Sequence, residues 1–340
     1  MIVRFGYVAM SVQLRNASPS RTMTMSTFAR LPDREAGLRR LEQIARDNLQ
    51  QTLRLLKHNR YMDVHVYRFT SKLIPLATHD LLQDWNPYPA LADAFAEVGA
   101  FVRAHGMRVS FHPDHYTVLN TPRRDVFVRS VRDLEHHVTM LEWMGLDARA
   151  TCNIHVGGTY GDKPAAGARF VRQFAELPPR IAGRMTLEND DKTFTAAETL
   201  ALCEQVGVPM VLDLHHHALN NPQGDDAALL WPRIVGTWEK RYRDSLPPKI
   251  HMSSPKSATD PRSHADDVDP APLLAFLLRI APVTPAVDVM LEAKRKDEAL
   301  FRLMDELHRL EAAGGPIRLR DGATIEVQVR KDSLLQSHPK

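Results

Sequence analysis

Eight short β-prone runs alternate with helical stretches along this chain, and that alternation restricts the fold more than any other feature. A strand followed by a helix, repeated, builds a parallel sheet with helices outside. The strand-like runs cover residues 2–8, 64–69, 108–111, 151–154, 184–187, 209–213, 249–252 and 286–291. Helical periodicity covers 35–57, 89–105, 124–143, 164–175, 195–205, 225–241, 269–280 and 297–310. In the first of these, Leu38, Leu41, Ile44, Ala45, Leu49, Leu53 and Leu56 fall at three- and four-residue steps, an apolar helix face. Gly106, Gly145 and Gly207 stop three of the helices. The unit count matches a (β/α)8 TIM barrel, an α/β fold. A doubly wound open sheet usually carries a Gly-rich phosphate loop after its first strand, and Gly6-Tyr7-Val8-Ala9 has none. The expected organisation is a barrel over residues 1–311 and a tail over 312–340. In the tail, Ile317-Arg318-Leu319 and Ile325-Glu326-Val327 read as a small hairpin outside the barrel.

The stretch Val211-Leu212-Asp213-Leu214-His215-His216-His217 shows where the chemistry lies. An apolar run delivers a carboxylate and a histidine cluster at its end, as a buried parallel strand would. The cluster sits inside the chain, directly after a strand-like run, unlike a tag. Other runs end the same way: His112, His155, Glu188, Asp213, His251 and Glu292 close six successive strands. A barrel gathers such ends on one face, where its active site lies. Burying so many imidazoles and carboxylates without metal would be costly. His, Asp and Glu without Cys suit Mn2+, Zn2+ or Fe2+. His216 and His264, in the following loops, extend the set beyond what one ion can use. We therefore expect a multinuclear cluster bridged by Glu188, able to clamp both oxygens of a phosphodiester displacement.

Composition excludes little. At 340 residues, 44% hydrophobic and 25% charged, the chain is an ordinary globular one with ample core. Its net charge of +3 does not by itself indicate nucleic acid. The N-terminus lacks the apolar region of a signal peptide, and no run is long enough to span a membrane. Two cysteines, Cys152 and Cys203, suggest no disulfide framework and fit a reducing cytoplasm. The long polar connection over 9–34 is of a kind usually kept for function. Lys72, Arg123, Arg124, Lys163, Lys192, Lys256 and Arg262 fall in loops on the metal face, where a ring of cations would hold phosphates. Lys163, Lys256 and Arg262 are the DNA-binding candidates.

Lys249 stands two residues before His251, so both side chains point to one side of the strand. A buried ammonium beside divalent ions is disfavoured by desolvation and by like charge. Lys249 is expected to be neutral, or carboxylated to an anionic carbamate. The alternative is an ammonium paired with Glu292 or Asp288.

Phe111-His112-Pro113, Ile154-His155-Val156-Gly157-Gly158, Leu187-Glu188-Asn189-Asp190-Asp191, Asp213-Leu214-His215-His216, Lys249-Ile250-His251-Met252-Ser253-Ser254, Ser263-His264-Ala265-Asp266 and Glu292-Ala293-Lys294 resemble the motifs of the UV damage endonuclease family. Tyr67-Arg68-Phe69-Thr70-Ser71 and Ile74-Pro75-Leu76 fit as well. The resemblance runs from Met1 to about Leu310. The family is similar to endonuclease IV in fold and metal site. The resemblance implies a divalent cluster of three ions, typically manganese, with Zn2+, Co2+ or Mg2+ able to substitute. It implies nicking of duplex DNA immediately 5′ of a pyrimidine dimer, a 6-4 photoproduct or other helix-distorting damage. The products would be a 3′-hydroxyl and a 5′-phosphate, the first step of excision repair.

Carried over, His112, His155 and Glu188 would hold one ion. Glu188, Asp213, His251 and Glu292 would hold a second, and His216 with His264 a third. His79, after Pro75, would contribute from a loop. Glu188, Lys249 and Glu292 would be the catalytic residues. The family's lesion probes fall on His115 and Tyr116, where His115 departs from the family's Gln and puts base preference in doubt. Tyr7 fits an aromatic residue beside the flipped lesion. A badly stacked dinucleotide costs less to extrude than a normal pair, so probes can select damage by deformability. The expected partner is damaged double-stranded DNA, met as a monomer in the cytoplasm at the nucleoid, with no membrane and no obligate protein partner. Two other readings share these residues. A metal-dependent sugar isomerase or epimerase of the same barrel would show keto-sugar turnover without nicking. A non-catalytic lesion-binding protein would hold dimer DNA and leave it intact.

Overall fold

A computed structural model describes residues 1–328, and the last residues of the expected tail, 329–340, lie outside them. The chain runs β1 (Ile2–Val8), α1 (Met25–Phe28), α2 (Arg34–Tyr61), β2 (Val66–Arg68), α3 (Tyr88–Ala104), β3 (Arg108–Phe111), α4 (Arg124–Trp143) and β4 (Thr151–His155). It continues α5 (Lys163–Phe174), α6 (Pro179–Ala182), β5 (Met185–Glu188), α7 (Ala196–Val206), β6 (Met210–Asp213), α8 (Leu214–Leu219) and α9 (Ala227–Tyr242). Then come β7 (Lys249–Met252), α10 (Pro270–Ile280), β8 (Ala286–Leu291), α11 (Lys296–Ala312), β9 (Ile317–Asp321) and β10 (Thr324–Val327). Strands β1 to β8 pair in parallel in sequence order, and β1 also pairs with β2, which closes the barrel. This is the TIM barrel that the alternation predicts.

Local chemistry sets the boundaries. Asp33 starts α2 by accepting the Ala36 amide at 2.6 Å. Thr195 and Glu198 form a reciprocal capping box on α7, and Gly207 ends that helix in the left-handed region at φ 69°. α8 is a helix that periodicity does not announce, because its six residues include three histidines. No helix among the described residues is long and apolar enough to cross a membrane.

The tail hairpin forms beyond the eight barrel strands and joins the sheet at β1. β10 pairs antiparallel with Ile2–Arg4 of β1, while β2 pairs with Gly6–Val8. β2 is three residues long and cannot cover all of β1. The hairpin therefore takes the uncovered half, and Met1 and Val327 hydrogen-bond to each other.

Alternate residues of each strand face the barrel interior, which is layered. The layer nearest the strand starts holds Arg4 and Arg108, both on Asp288. Above it, Lys249 of β7 reaches across to Ser110 of β3. The strand ends carry the histidines and carboxylates. The opposite parity, Val3, Phe5 and Tyr7 in β1, packs under the helices in the main apolar core.

Candidate metal centre

Glu188 is the last residue of β5, and its side chain is buried at the hub of the strand ends. Its Oε2 lies 3.2 Å from His112 Nε2 and 3.1 Å from His251 Nδ1, and its Oε1 lies 3.5 Å from His216 Nδ1. Three donor groups result, His112–His155–Glu188, Glu188–Asp213–His216 and Glu188–His251–Glu292, each with donor atoms within 4.8 Å of one another. Glu188 belongs to all three. This differs in two respects from the expected partition: Asp213 groups with His216 and not with His251 and Glu292, and His264, expected beside His216, is in none of the three. The cause of the first is α8, whose first turn folds His216 back over Asp213. Asp213 Oδ1 accepts the His216 amide at 2.7 Å.

Neighbouring groups aim these donors. His112 Nδ1 faces the Pro113 carbonyl at 3.0 Å and His216 Nδ1 the Asn189 carbonyl at 3.0 Å. Each contact fixes its ring, as supporting hydrogen bonds do around metal-binding histidines. Asn153 donates its amide to Glu188, and Thr186 Oγ1 donates to Asn153 Oδ1 at 2.8 Å, which holds that amide in place. Asn189 brackets Asp213, donating to its carbonyl at 3.0 Å and accepting its amide at 2.9 Å. Asn153 and Asn189 escaped sequence reasoning, although each stands in or beside a ligand-bearing strand.

Three buried atoms here have no hydrogen-bond partner: Asp213 Oδ2, His155 Nδ1 and His251 Nδ1. His251 Nδ1 lies 3.0 Å from Glu292 Oε1 and 3.1 Å from Glu188 Oε2, ion-pair distances that do not amount to hydrogen bonds. Buried polar atoms are normally satisfied, because leaving one unpaired costs about 1–3 kcal/mol. A carboxylate oxygen and ring nitrogens left unpaired beside further carboxylates are what cation ligands look like, so the residues present fit a divalent metal. A donor set of imidazoles and carboxylates suits Mn2+ or Zn2+ chemistry.

The charges agree. Burial pushes the Glu188 carboxyl up, but the His251 charge, with a contact from His112, pulls it well below the usual carboxylate range. Burial opposes the charged forms of His216 and His251. Asp213 and Glu188 nevertheless raise His216 to about 9, and Glu188 with Glu292 raises His251 to about 9. His155 goes the other way: burial dominates and keeps its imidazole neutral, as a ligand must be. Of the three consecutive histidines only His216 joins the cluster. His215 is held by Ser253 Oγ at 2.5 Å and the Pro261 carbonyl at 2.8 Å, and His217 by the Asp225 carbonyl at 3.0 Å.

Other expected site residues lie around the cluster or away from it. His264 is half-buried against His215, with ring centres 5.9 Å apart, and falls outside the three donor groups. His79 is also outside them. Its Nδ1 accepts the Leu81 amide, and it lines a neighbouring cleft of about 500 Å3 with Tyr116. Lys249 is buried, its Nζ 3.1 Å from Ser110 Oγ. Burial and the Arg108 charge push its ammonium well down. The expected alternative partner Asp288 is already held by Arg4 and Arg108.

A cleft of about 400 Å3 opens above the cluster, lined by His112, His155, His216, His115, Asp190, Asp191 and Lys192 among others. Tyr116 stands beside it, 59% exposed. The loop beneath is braced: Thr117 Oγ1 donates to Asp133 at 2.6 Å and Ser130 Oγ accepts the Val118 amide at 3.0 Å. His115 and Tyr116 thus form a fixed ridge between two clefts. Tyr116 does not pack down on the fold.

Tyr7 requires a correction. It is wholly buried, its hydroxyl 2.5 Å from Asn59 Oδ1 and its ring edge-on to Tyr67. It shares the outward parity of Val3 and Phe5, so it is scaffold between barrel and α2 and does not reach a lesion. The rim cations are less free than expected. Lys163 pairs with Glu198 at 3.0 Å, Lys256 with Asp260 at 3.1 Å and Arg262 with Asp191 at 3.1 Å. Lys192 is an exposed cleft residue without such a partner among the described residues. Arg68, at the end of β2, escaped sequence reasoning and donates to Glu292.

Residues 3–317 match the family described as UV-endonuclease UvdE. The UV DNA damage endonuclease of Bacillus pumilus is 44% identical over 328 residues, covering 96% of this chain and 99% of that protein. The UV DNA damage endonuclease of Halalkalibacterium halodurans is 43% identical over 308 residues, 90% of this chain and 94% of that protein. Among solved structures, that of SacUVDE superposes with a TM-score of 0.76 at 26% identity, covering 92% of this chain and 99% of its own. Endonuclease IV from Thermus thermophilus shares the fold, with a TM-score of 0.52 at 14% identity over 91% of this chain and 99% of its own.

Proposed function

Because the chain belongs to the UV-endonuclease UvdE family, we propose that it is a UV DNA damage endonuclease. It hydrolyses the phosphodiester immediately 5′ of a UV lesion or other helix-distorting damage in double-stranded DNA, leaving a 3′-hydroxyl and a 5′-phosphate. The observation that carries this reading is the sharing of Glu188 by three donor groups that keep unpaired buried polar atoms. His112 and His155, Asp213 and His216, and His251 and Glu292, with Glu188, would hold a cluster of divalent ions, Mn2+ first, with His264 at its margin. Bound there, the ions would supply Lewis acidity and activate water at neutral pH.

The protein's own groups do the rest. Asn153 and Asn189 keep Glu188 and Asp213 aimed at the cluster. Lys249 lies one layer below as a neutral amine or its carbamate, next to Ser110. His115 and Tyr116 enter the duplex where a damaged dinucleotide has left its stack, because extrusion there is cheapest. Lys192 and the partly paired Lys163, Lys256 and Arg262 hold flanking phosphates. The setting is the cytoplasm, with the chain acting as a monomer, and two free buried cysteines fit a reducing compartment.

The test is incubation of UV-irradiated and undamaged end-labelled duplexes with the protein and Mn2+. One nick 5′ of each dimer, with undamaged duplex intact, is the expected result. Binding without nicking would refute the reading.

A further inference from the structure

Three donor groups meet at Glu188, and one of them contains a cation that the other two lack. Arg68 Nη1 donates to Glu292 Oε1, inside the Glu188–His251–Glu292 group. Among the described residues, the ion pairs of His112, His216, Glu188 and Asp213 are with one another or with His251, and involve no lysine or arginine. Arg68 is the last residue of β2, and its side chain is 14% exposed, so it is held at the mouth of the barrel. Glu292 is its sole carboxylate partner among the described residues. Lys296 is a second cation on this side. Burial and repulsion from Arg68 both push its ammonium down.

A guanidinium stays charged at any working pH and cannot ligate a metal. It therefore satisfies Glu292 when no ion is present and repels an ion that would share Glu292. Once displaced from Glu292, its planar fork needs another oxyanion, and a phosphodiester has the matching geometry. We propose that Arg68 competes with the divalent ion for Glu292 and, once displaced, becomes a catalytic residue that grips a non-bridging oxygen of the substrate phosphodiester. The phosphate half of this proposal rests on the nuclease reading above. The competition half does not. The Glu188–His251–Glu292 group is then the last of the three to fill, and substrate and final ion favour each other.

The experiment is calorimetric titration of the DNA-free full chain with Mn2+, alongside nicking of UV-irradiated duplex at saturating Mn2+ and substrate. Arg68→Gln removes the competitor, so the weakest Mn2+ step should tighten about tenfold or more. Its nicking turnover should nonetheless fall about a hundredfold or more, as loss of a charged phosphate clamp does. Arg68→Lys keeps the charge, so the weakest step should stay within about twofold of wild type while turnover falls. Opposite signs for metal affinity and turnover are the signature, because a merely structural residue would lower both. Unchanged or weaker Mn2+ binding in Arg68→Gln overturns the competition. Wild-type turnover in Arg68→Gln overturns the phosphate contact. A wild-type chain that binds Mn2+ but nicks nothing overturns the nuclease reading and the phosphate half with it, while the titration still decides the competition.

Discussion

The barrel interior carries two ionic layers that look alike in composition and differ in how completely their atoms are matched. Near the strand starts, Arg4 and Arg108 both bind Asp288, at 2.7 Å and 2.6 Å. Burial pushes the Asp288 carboxyl up, and the two guanidinium groups pull it below its ordinary range. The unmatched atom in that triad, Arg108 Nη2, is a donor and cannot ligate a cation. At the strand ends, three carboxylates and several imidazoles leave Asp213 Oδ2, His155 Nδ1 and His251 Nδ1 unpaired. One layer is closed by its own counter-charges and belongs to the fold. The other is left open and belongs to chemistry. Burial alone does not distinguish the two, since Glu188 and Asp288 are equally buried.

That contrast breaks most severely at Glu188. Glu188→Gln keeps the shape but removes the charge shared by all three donor groups. Nicking should fall by about a thousandfold or more as metal chemistry is lost, while binding to damaged DNA survives. A well-folded variant that nicks near the wild-type rate would show that Glu188 is not the hub. The matching change below is Asp288→Asn, which leaves the buried Arg108 guanidinium and the partly exposed Arg4 without their counter-charge. Breaking a buried pair costs about 3–5 kcal/mol, a loss readable by urea denaturation. Metal affinity of the folded fraction should not change. A large loss of Mn2+ binding in this variant would mean that the two layers are not independent.

The layers should also separate by pH. In metal-free protein His216 and His251 are raised to about 9, above the value of about 6.5 expected when unfolded. Their contribution is complete below the unfolded value and is lost as pH rises through the folded one. Chelated protein should therefore lose stability between about pH 6.5 and 9, and Mn2+ affinity should rise over that window as protons are displaced. Asp288 is lowered, so its contribution is present above the unfolded carboxylate value and disappears only in acid. Denaturation series with chelator for wild type and Asp288→Asn check this. A wild-type profile flat across the window would contradict the assignment of charged imidazoles to Glu188.

The smallest effect is expected at the rim. Tyr116→Ala should weaken binding to dimer-containing duplex by about 1–3 kcal/mol, the usual worth of one stacked base, and leave metal content unchanged. Equal losses on damaged and undamaged duplex would make Tyr116 a general contact and not a probe.

The open layer was readable in the sequence because six ligand-type residues end successive strands, and a barrel brings such ends together whatever the details. The assignment of Tyr7 failed on a two-residue period that the sequence does contain: Val3, Phe5 and Tyr7 form the apolar outward parity, and Arg4 and Gly6 the inward one. Two rim pairings are hidden for a different reason. Lys163 and Glu198 are 35 residues apart and Arg262 is likewise far along the chain from Asp191, and such ion pairs exist only after folding, whereas Lys256 and Asp260 stand close enough in sequence to be paired by inspection. The grouping of Asp213 with His216 depends on α8, a helix too short to show a period. The hairpin could be read, but its docking could not, because it answers to the shortness of β2.

The central claim is that the strand-end layer holds divalent ions through Glu188. A crystal of the protein grown with Mn2+ and measured at the manganese absorption edge tests it most directly. The account predicts anomalous peaks in contact with the Glu188 carboxylate, flanked by His112 and His155, by Asp213 and His216, and by His251 and Glu292. Manganese bound elsewhere, with no peak touching Glu188, would contradict it.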